Sequence, residues 1–199
     1  AGNKYSEHPL ELYSLRRDII RWFEINHFND FEFYGKDWDK YVFKGSIFMR
    51  VLNKIKPLKR LFKLDYKSYR GEIESKEIVF QKYRFAICFE NAVDIAGYIT
   101  EKLFDCFFSG CIPIYLGAKN IEAYIPSDCF INYRNFDSLE SIYGYISEID
   151  EVEYNRYIDS IESFLCSEKS SIFRNDFFSE TLVNNIQKDM EKIDELQGN

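Results

Sequence analysis

The chain lacks most of the features that announce a secreted, metal-binding or membrane-spanning protein. Its 199 residues contain no Asn-x-Ser/Thr acceptor, and its two histidines, His8 and His27, lie far apart. Neither a secreted glycoprotein nor a histidine-based metal site finds support. The five cysteines (Cys88, Cys106, Cys111, Cys129, Cys166) include no CxxC pair. Their number is odd and four fall in apolar runs, so they read as small buried hydrophobes in a reducing cytoplasm rather than as a disulfide framework. No apolar run is long enough to cross a bilayer, and the first residues do not read as a signal peptide. The chain opens Ala1-Gly2-Asn3 without an initiator Met, as a piece of something longer or a chosen start would. Positive charge is also short. With 26 Lys+Arg against 33 Asp+Glu the net charge is −7, which argues against a nucleic-acid partner, since that task needs a basic footprint.

What is present is a soluble globular composition, 46% hydrophobic and 30% charged, in a chain long enough for one substantial core. Aromatic residues reach 18%, with 19 Phe and 15 Tyr. Much of that is core, although Tyr near a loop also suits ligand contact. No repeat or low-complexity linker interrupts the chain, so residues 1–199 are read as a single domain.

The most informative stretch is Phe85 to Asp105, where a buried-type strand runs into a polar loop and then a helix. Tyr98, Glu101 and Lys102 fall in the first turn of that helix. A helix N-terminus already carries about half a positive charge, so a Lys there is misplaced unless an anion sits nearby. Two readings stand: a phosphate-bearing ligand held at the helix start, or an ordinary solvated first turn.

Around this unit the pattern alternates strands and helices. Apolar spacing predicts a helix over Pro9–Asn26 with Pro9 in its first turn, and a short strand over Asp30–Gly35. Two short helices are expected within Phe43–Leu64, then a strand over Tyr83–Phe89 and a helix over Tyr98–Ser109 capped by Gly110. Strands follow at Ile112–Leu116 and Cys129–Tyr133, with a turn near Ile121–Tyr124 between them. Asp137-x-x-Glu140 resembles a capping box opening a helix to about Ile149, and helices over Val152–Leu165 and Asn175–Leu196 end the chain. The fold class is therefore α/β, a Rossmann-like parallel sheet flanked by helices. Ligands bind such sheets at the C-terminal ends of the strands, which puts Glu90–Gly97, Gly117–Asn120 and the loop after Tyr133 on one rim.

Four segments in order carry a resemblance: Phe89-Glu90-Asn91, Gly97-Tyr98-Ile99-Thr100-Glu101-Lys102-Leu103, Gly110-x-Ile112-Pro113-Ile114-Tyr115-x-Gly117, and Tyr124-Ile125-Pro126-x-x-x-Phe130-Ile131. They resemble the C-terminal nucleotide-binding half of the α1,3/α1,4-fucosyltransferases, glycosyltransferase family 10. The likeness is dense over residues 82–136 and looser over Gly2–Gly35, where Asn3, Arg17 and Tyr34-Gly35 fall in place. It implies the C-terminal half of a two-domain GT-B enzyme that binds GDP-fucose and transfers L-fucose, with inversion, to a hydroxyl of an acceptor oligosaccharide. Lys102 and Arg17 would hold the diphosphate, with Arg16 the alternative to Arg17. Either arginine could equally be a solvated helix-face residue. Tyr98 would touch the diphosphate, Glu101 would accept the ribose hydroxyls, and Glu90 and Asn91 would line the sugar or phosphate side. No obligatory cofactor or metal is implied, and no Asp-x-Asp motif stands within residues 82–136. The general base belongs to the N-terminal acceptor domain, which this chain is expected to lack. Glu90 is the one carboxylate of the motif region to weigh for that role, against hydrogen bonding to its own loop.

One position departs from the family pattern. The residue after Glu90-Asn91 is usually Ser and here is Ala92, which leaves room for another nucleotide sugar as donor. A catalytically silent nucleotide-binding module is a third reading.

Lys44 to Leu64 holds seven basic residues and no acidic one. A membrane-surface patch through Lys54, Lys56, Lys59 and Arg60, a solvated helix face, and a strip docking the acceptor domain all fit. The expected setting is cytoplasmic, at the inner face of a bacterial membrane, in the making of a surface polysaccharide or lipopolysaccharide. Glu148, Asp150, Glu151 and Glu153 lack the Gly-centred spacing of a cation loop and read as a charged helix boundary.

Overall fold

The structure is a computed structural model that describes residues 6–36, 38 and 66–197, with side chains as far as 190. The Phe43–Leu64 helices, Asn3, and the basic patch at Lys54, Lys56, Lys59 and Arg60 lie outside the described residues.

Three parallel strands form the sheet in the order β1-β2-β3: β1 is Phe85–Phe89, β2 Ile112–Leu116 and β3 Ile131–Asn132. The register pairs Ile87 with Ile114 and Ile114 with Ile131. All five residues of β2 are buried, as a central parallel strand covered on both faces requires. Alternation of side chains sorts the two faces. Cys88 and Tyr115 point to one, packing with Leu103, Cys106 and Phe107 of helix α3 (Glu101–Phe108) and with Ile161 and Phe164 of helix α5 (Glu151–Cys166). Phe89 and Leu116 point to the other, against Leu12, Ile19 and Phe23 of α1 (Tyr13–Asn26) and its approach. Ile112, Ile114 and Ile131 complete that face with Ile142 of α4 (Leu139–Glu148). Each such side chain contributes about 1.5–3 kcal/mol on burial. A short helix α2 (Lys76–Phe80) precedes the sheet, and α6 (Asn175–Gln197) ends the chain. Among the described residues no helix is long and apolar enough to cross a membrane.

Helix α3 closes as expected. Gly110 takes φ 66, and Cys111 N–H and Gly110 N–H return to Cys106 O and Phe107 O, the bond pair of a Schellman cap. Cys88, Cys106, Cys111 and Cys129 are buried free thiols, and Cys166 is exposed.

Several boundaries differ from the sequence expectation. Pro9 sits in a turn ahead of α1. The segment before Tyr13 is drawn off to the loop after β1, where Glu11 bridges Ala92 and Leu12 N–H donates to Asn91 O at 3.1 Å. Among the described residues Asp30–Gly35 gives one parallel bridge, Phe33 to Tyr69. Its partner curls back through Tyr69 N–H to Tyr66 O, and Gly35 leaves the pleat at φ 150. Helix α3 starts at Glu101, so Tyr98 precedes it. Gly97 at φ 71 and an extended Thr100 turn the chain first. Strand β3 keeps only two residues because both ends wind into 3-10 turns, Ser127–Cys129 and Tyr133–Asn135. The capping box of α4 is Ser138 with Ser141, one residue later than Asp137 with Glu140. Glu140 is engaged elsewhere, accepting the Trp22 indole N–H at 2.7 Å.

A polar cluster fastens the bridge region to the approach of β1. Glu32 accepts from the Tyr83 hydroxyl, from Tyr34 Oη at 2.8 Å and from Arg70 Nε at 2.6 Å. The Tyr83 hydrogen bond, with those of Arg70 and Tyr34 after it, lowers the Glu32 pKa to about 2. A carboxylate lowered in the folded state stabilises it above the ordinary value of 4.5, and that contribution is lost as pH falls towards 2. Denaturant titrations between pH 5 and 2 should therefore show Glu32→Gln losing less stability than the unaltered protein. Parallel acid limbs would mean that Glu32 is not held in this way.

Candidate functional site

The rim expected from topology is present, and side chains tie its loops together. Phe89 ends β1, and the chain continues into Glu90, which is completely buried. A buried carboxylate needs donors, and it has three. Thr100 gives its backbone N–H to Glu90 Oε1 at 2.8 Å and its hydroxyl to Oε2 at 2.7 Å. Lys102 gives an N–H to Oε2 at 3.0 Å. Lys102 also donates to Thr100 Oγ1 at 2.8 Å, closing a triangle of lysine, threonine and glutamate. The anion that a lysine in the first turn of α3 calls for is therefore supplied within the chain, and Glu90 also complements the positive end of the helix dipole. An ammonium has three N–H groups, so one lies outside the triangle. The Lys102 side chain is 26% exposed, and its Nζ also stands 3.9 Å from Glu101 Oε1 on the rim.

Gly117 makes this packing feasible. A Cβ at that residue would lie 2.5 Å from Glu90 Cγ and 2.5 Å from Tyr115 Oη. Tyr115 is itself buried, accepts the Ala118 N–H at 3.0 Å, and has its phenol pKa raised by that burial.

The opposite flank of Glu90 is held by Arg16. One terminal guanidinium nitrogen donates to Phe89 O and Glu90 O, each at 2.6 Å, and to Asn91 Oδ1 at 3.3 Å. Its carbon lies 5.3 Å from the centre of the Tyr13 ring, and burial lowers its pKa from the ordinary arginine value. The structure thus gathers Glu90, Asn91, Lys102 and Arg16 at one strand end. Arg17, one residue on and so about 100° round the helix, donates to Ser14 Oγ at 2.8 Å. Tyr98 is half-buried just ahead of α3, and Glu101 points outward with 65% of its side chain exposed. Beside Glu101 an open hollow of about 440 Å³ runs along α3, lined by Ile99, Phe104, Phe108, Phe173 and Arg174 among others. Among the described residues no group of His, Cys, Asp or Glu converges as a metal site would require.

Thr100, Arg134 and Asp94 were not expected from the sequence. Thr100 left a signal, a hydroxyl residue immediately before a helix start. Arg134 and Asp94 fall on loops expected to share the rim, but nothing in the sequence pairs two groups forty residues apart that meet at 2.7 Å.

Residues 51–193 match the sequence model described as Glycosyltransferase family 10 (fucosyltransferase) C-term. The chain belongs to that family. The 4-galactosyl-N-acetylglucosaminide 3-alpha-L-fucosyltransferase 9 of Mus musculus is 40% identical over 70 residues, which is 34% of this chain and 19% of that protein. The alpha-(1,3)-fucosyltransferase FucT of Helicobacter pylori is 32% identical over 89 residues, 45% of this chain and 18% of that one. A crystal structure of an alpha1,3-fucosyltransferase with GDP aligns at 31% identity and a TM-score of 0.39, over 46% of this chain and 26% of the other. The matched stretch of this family 10 chain spans less than a fifth of either curated relative.

Proposed function

We propose that this chain is the donor-binding part of an inverting fucosyltransferase, the C-terminal half of a GT-B enzyme that moves L-fucose from GDP-fucose to a hydroxyl of an acceptor glycan. The observation that carries the reading is Lys102, in a family 10 chain, standing at the C-terminal end of a parallel strand and held from below by a buried Glu90. As the glycosidic bond breaks, negative charge grows on the β-phosphate. A cation fixed beside it stabilises that state more than the ground state, and removing one such donor typically costs 10²–10³ in rate. Lys102 offers its third N–H as a point charge, and the arginines of α1 offer planar forks. In this reading protein cations neutralise the diphosphate without an obligatory metal. Glu101 takes the ribose hydroxyls and Tyr98 flanks the diphosphate. Asn91 keeps its amide N–H groups for the sugar side, because its Oδ1 already accepts from Arg16.

Glu90 is poorly suited to act as general base. Its carboxylate is buried and holds Thr100 and Lys102, so its part is to fix the lysine. The base then belongs to the acceptor side of the enzyme.

Nucleotide-dependent melting tests the reading. A ligand that binds only the folded state stabilises it by RT ln(1 + [L]/Kd), about 2.7 kcal/mol at a hundredfold excess. GDP and GDP-fucose are expected to raise the melting temperature, and EDTA to leave that rise intact. A rise with UDP- or ADP-sugars alone would transfer the site to another donor, the option Ala92 leaves open. No rise with any nucleotide would leave a silent module.

A further inference from the structure

The loop after β1 carries Asn91 and leads to Lys102, and it is tied down on both flanks. On the near flank Val93 N–H donates to Leu10 O at 2.8 Å. On the far flank Asp94 N–H donates to Gly117 O at 3.0 Å, and Gly97 N–H to Asn120 Oδ1 at 2.8 Å. Arg134, just past β3, completes the far side. One of its terminal nitrogens donates to Asp94 Oδ1 at 2.7 Å and to Gly117 O at 3.1 Å. A single guanidinium thereby joins the loops that follow all three strands. Asp94 itself is left-handed at φ 63, a conformation that Asp adopts more readily than most residues but that still needs holding.

We infer that Arg134 and Asp94 form a latch that keeps the loop after β1 in its ligand-ready shape before the donor arrives. The inference rests on the donor reading above. The physical connection runs through Gly117. Its carbonyl takes both latch contacts, its α-carbon lies against Glu90, and Glu90 holds Lys102. Arg134 and Asp94 are therefore positioning residues. Their side chains are 36% and 46% exposed, so the ion pair adds little to global stability. Its effect is on binding, because a loop already ordered loses less freedom when a ligand docks.

The test uses Asp94→Asn, which keeps a residue tolerant of the left-handed conformation while removing the charge, together with Arg134→Gln and Arg134→Lys. GDP affinity by calorimetry and amide exchange of the ligand-free proteins are measured side by side. Asp94→Asn and Arg134→Gln are expected to weaken GDP binding by roughly tenfold at a nearly unchanged melting temperature. Arg134→Lys should recover part of the loss, and exchange at Asp94 and Gly97 should speed while β2 stays protected. Unchanged GDP affinity, unchanged loop exchange, or a melting temperature that falls in step with affinity would each overturn the latch. Failure of the unaltered protein to bind GDP would instead overturn the donor reading, and loop exchange alone would then decide whether the latch orders the loop.

Discussion

Gly117→Ala is expected to cost both stability and nucleotide binding, although it adds a single methyl group. The new Cβ would fall 2.5 Å from Glu90 Cγ, 2.9 Å from Glu90 Cβ and 2.5 Å from the Tyr115 hydroxyl. Neither neighbour can swing into solvent, since both are buried. Overpacking of this kind costs about 1–3 kcal/mol, occasionally more. At about 2–4 °C per kcal/mol for a chain of this size, the melting temperature should fall by roughly 2–12 °C. The displaced group is the carboxylate that holds Lys102, so GDP stabilisation should vanish in the same variant. Gly144→Ala is the matched control. Its Cβ meets nothing within 4 Å inside α4, and the change should be neutral or stabilise by up to about 1 kcal/mol. Equal melting curves for Gly117→Ala and the unaltered protein would show that the packing around Glu90 is looser than described.

Lys102→Met is the second large effect, and it acts on the fold as well as on the ligand. Removing one member of a buried ion pair leaves the other uncompensated and costs about 3–5 kcal/mol. Here Glu90 is fully buried, and Thr100 alone would remain to satisfy it. Denaturant unfolding should show a loss in that range, and GDP should no longer shift the melting temperature. Adding Glu90→Gln to Lys102→Met removes the stranded charge and should restore at least about 1 kcal/mol, a coupling typical of contacting residues. It should not restore GDP binding. A strictly additive double variant would mean that the two groups do not interact in solution.

The strands and the rim were legible in the sequence because β1 and β2 are apolar runs bounded by polar loops and glycine. Gly110 marked the end of α3 for the same reason, since a positive φ selects glycine. Lys102 stood out as a charge of the wrong sign at a helix start. Its answer did not, because the compensating carboxylate lies twelve residues earlier and meets it only once the chain folds back over the loop. The two arginines of α1 were separable only in three dimensions, where one step along the helix decides that Arg16 meets the end of β1. Two of the boundary differences trace to tertiary contacts. Pro9 and Glu140 follow local rules, but tertiary partners claim the neighbouring backbone of the first and the side chain of the second. Among the described residues the aromatics divide: Phe89, Phe107, Phe130 and Phe164 are core, whereas Phe108 and Phe178 stay exposed.

A structure of this chain with GDP bound tests the role of Lys102 most directly. The β-phosphate is expected within hydrogen-bond reach of Lys102 Nζ, with Glu90 still buried behind it and the loop after β1 unmoved. A diphosphate bound away from the start of α3, with Lys102 engaged only by Glu90 and Thr100, would contradict it.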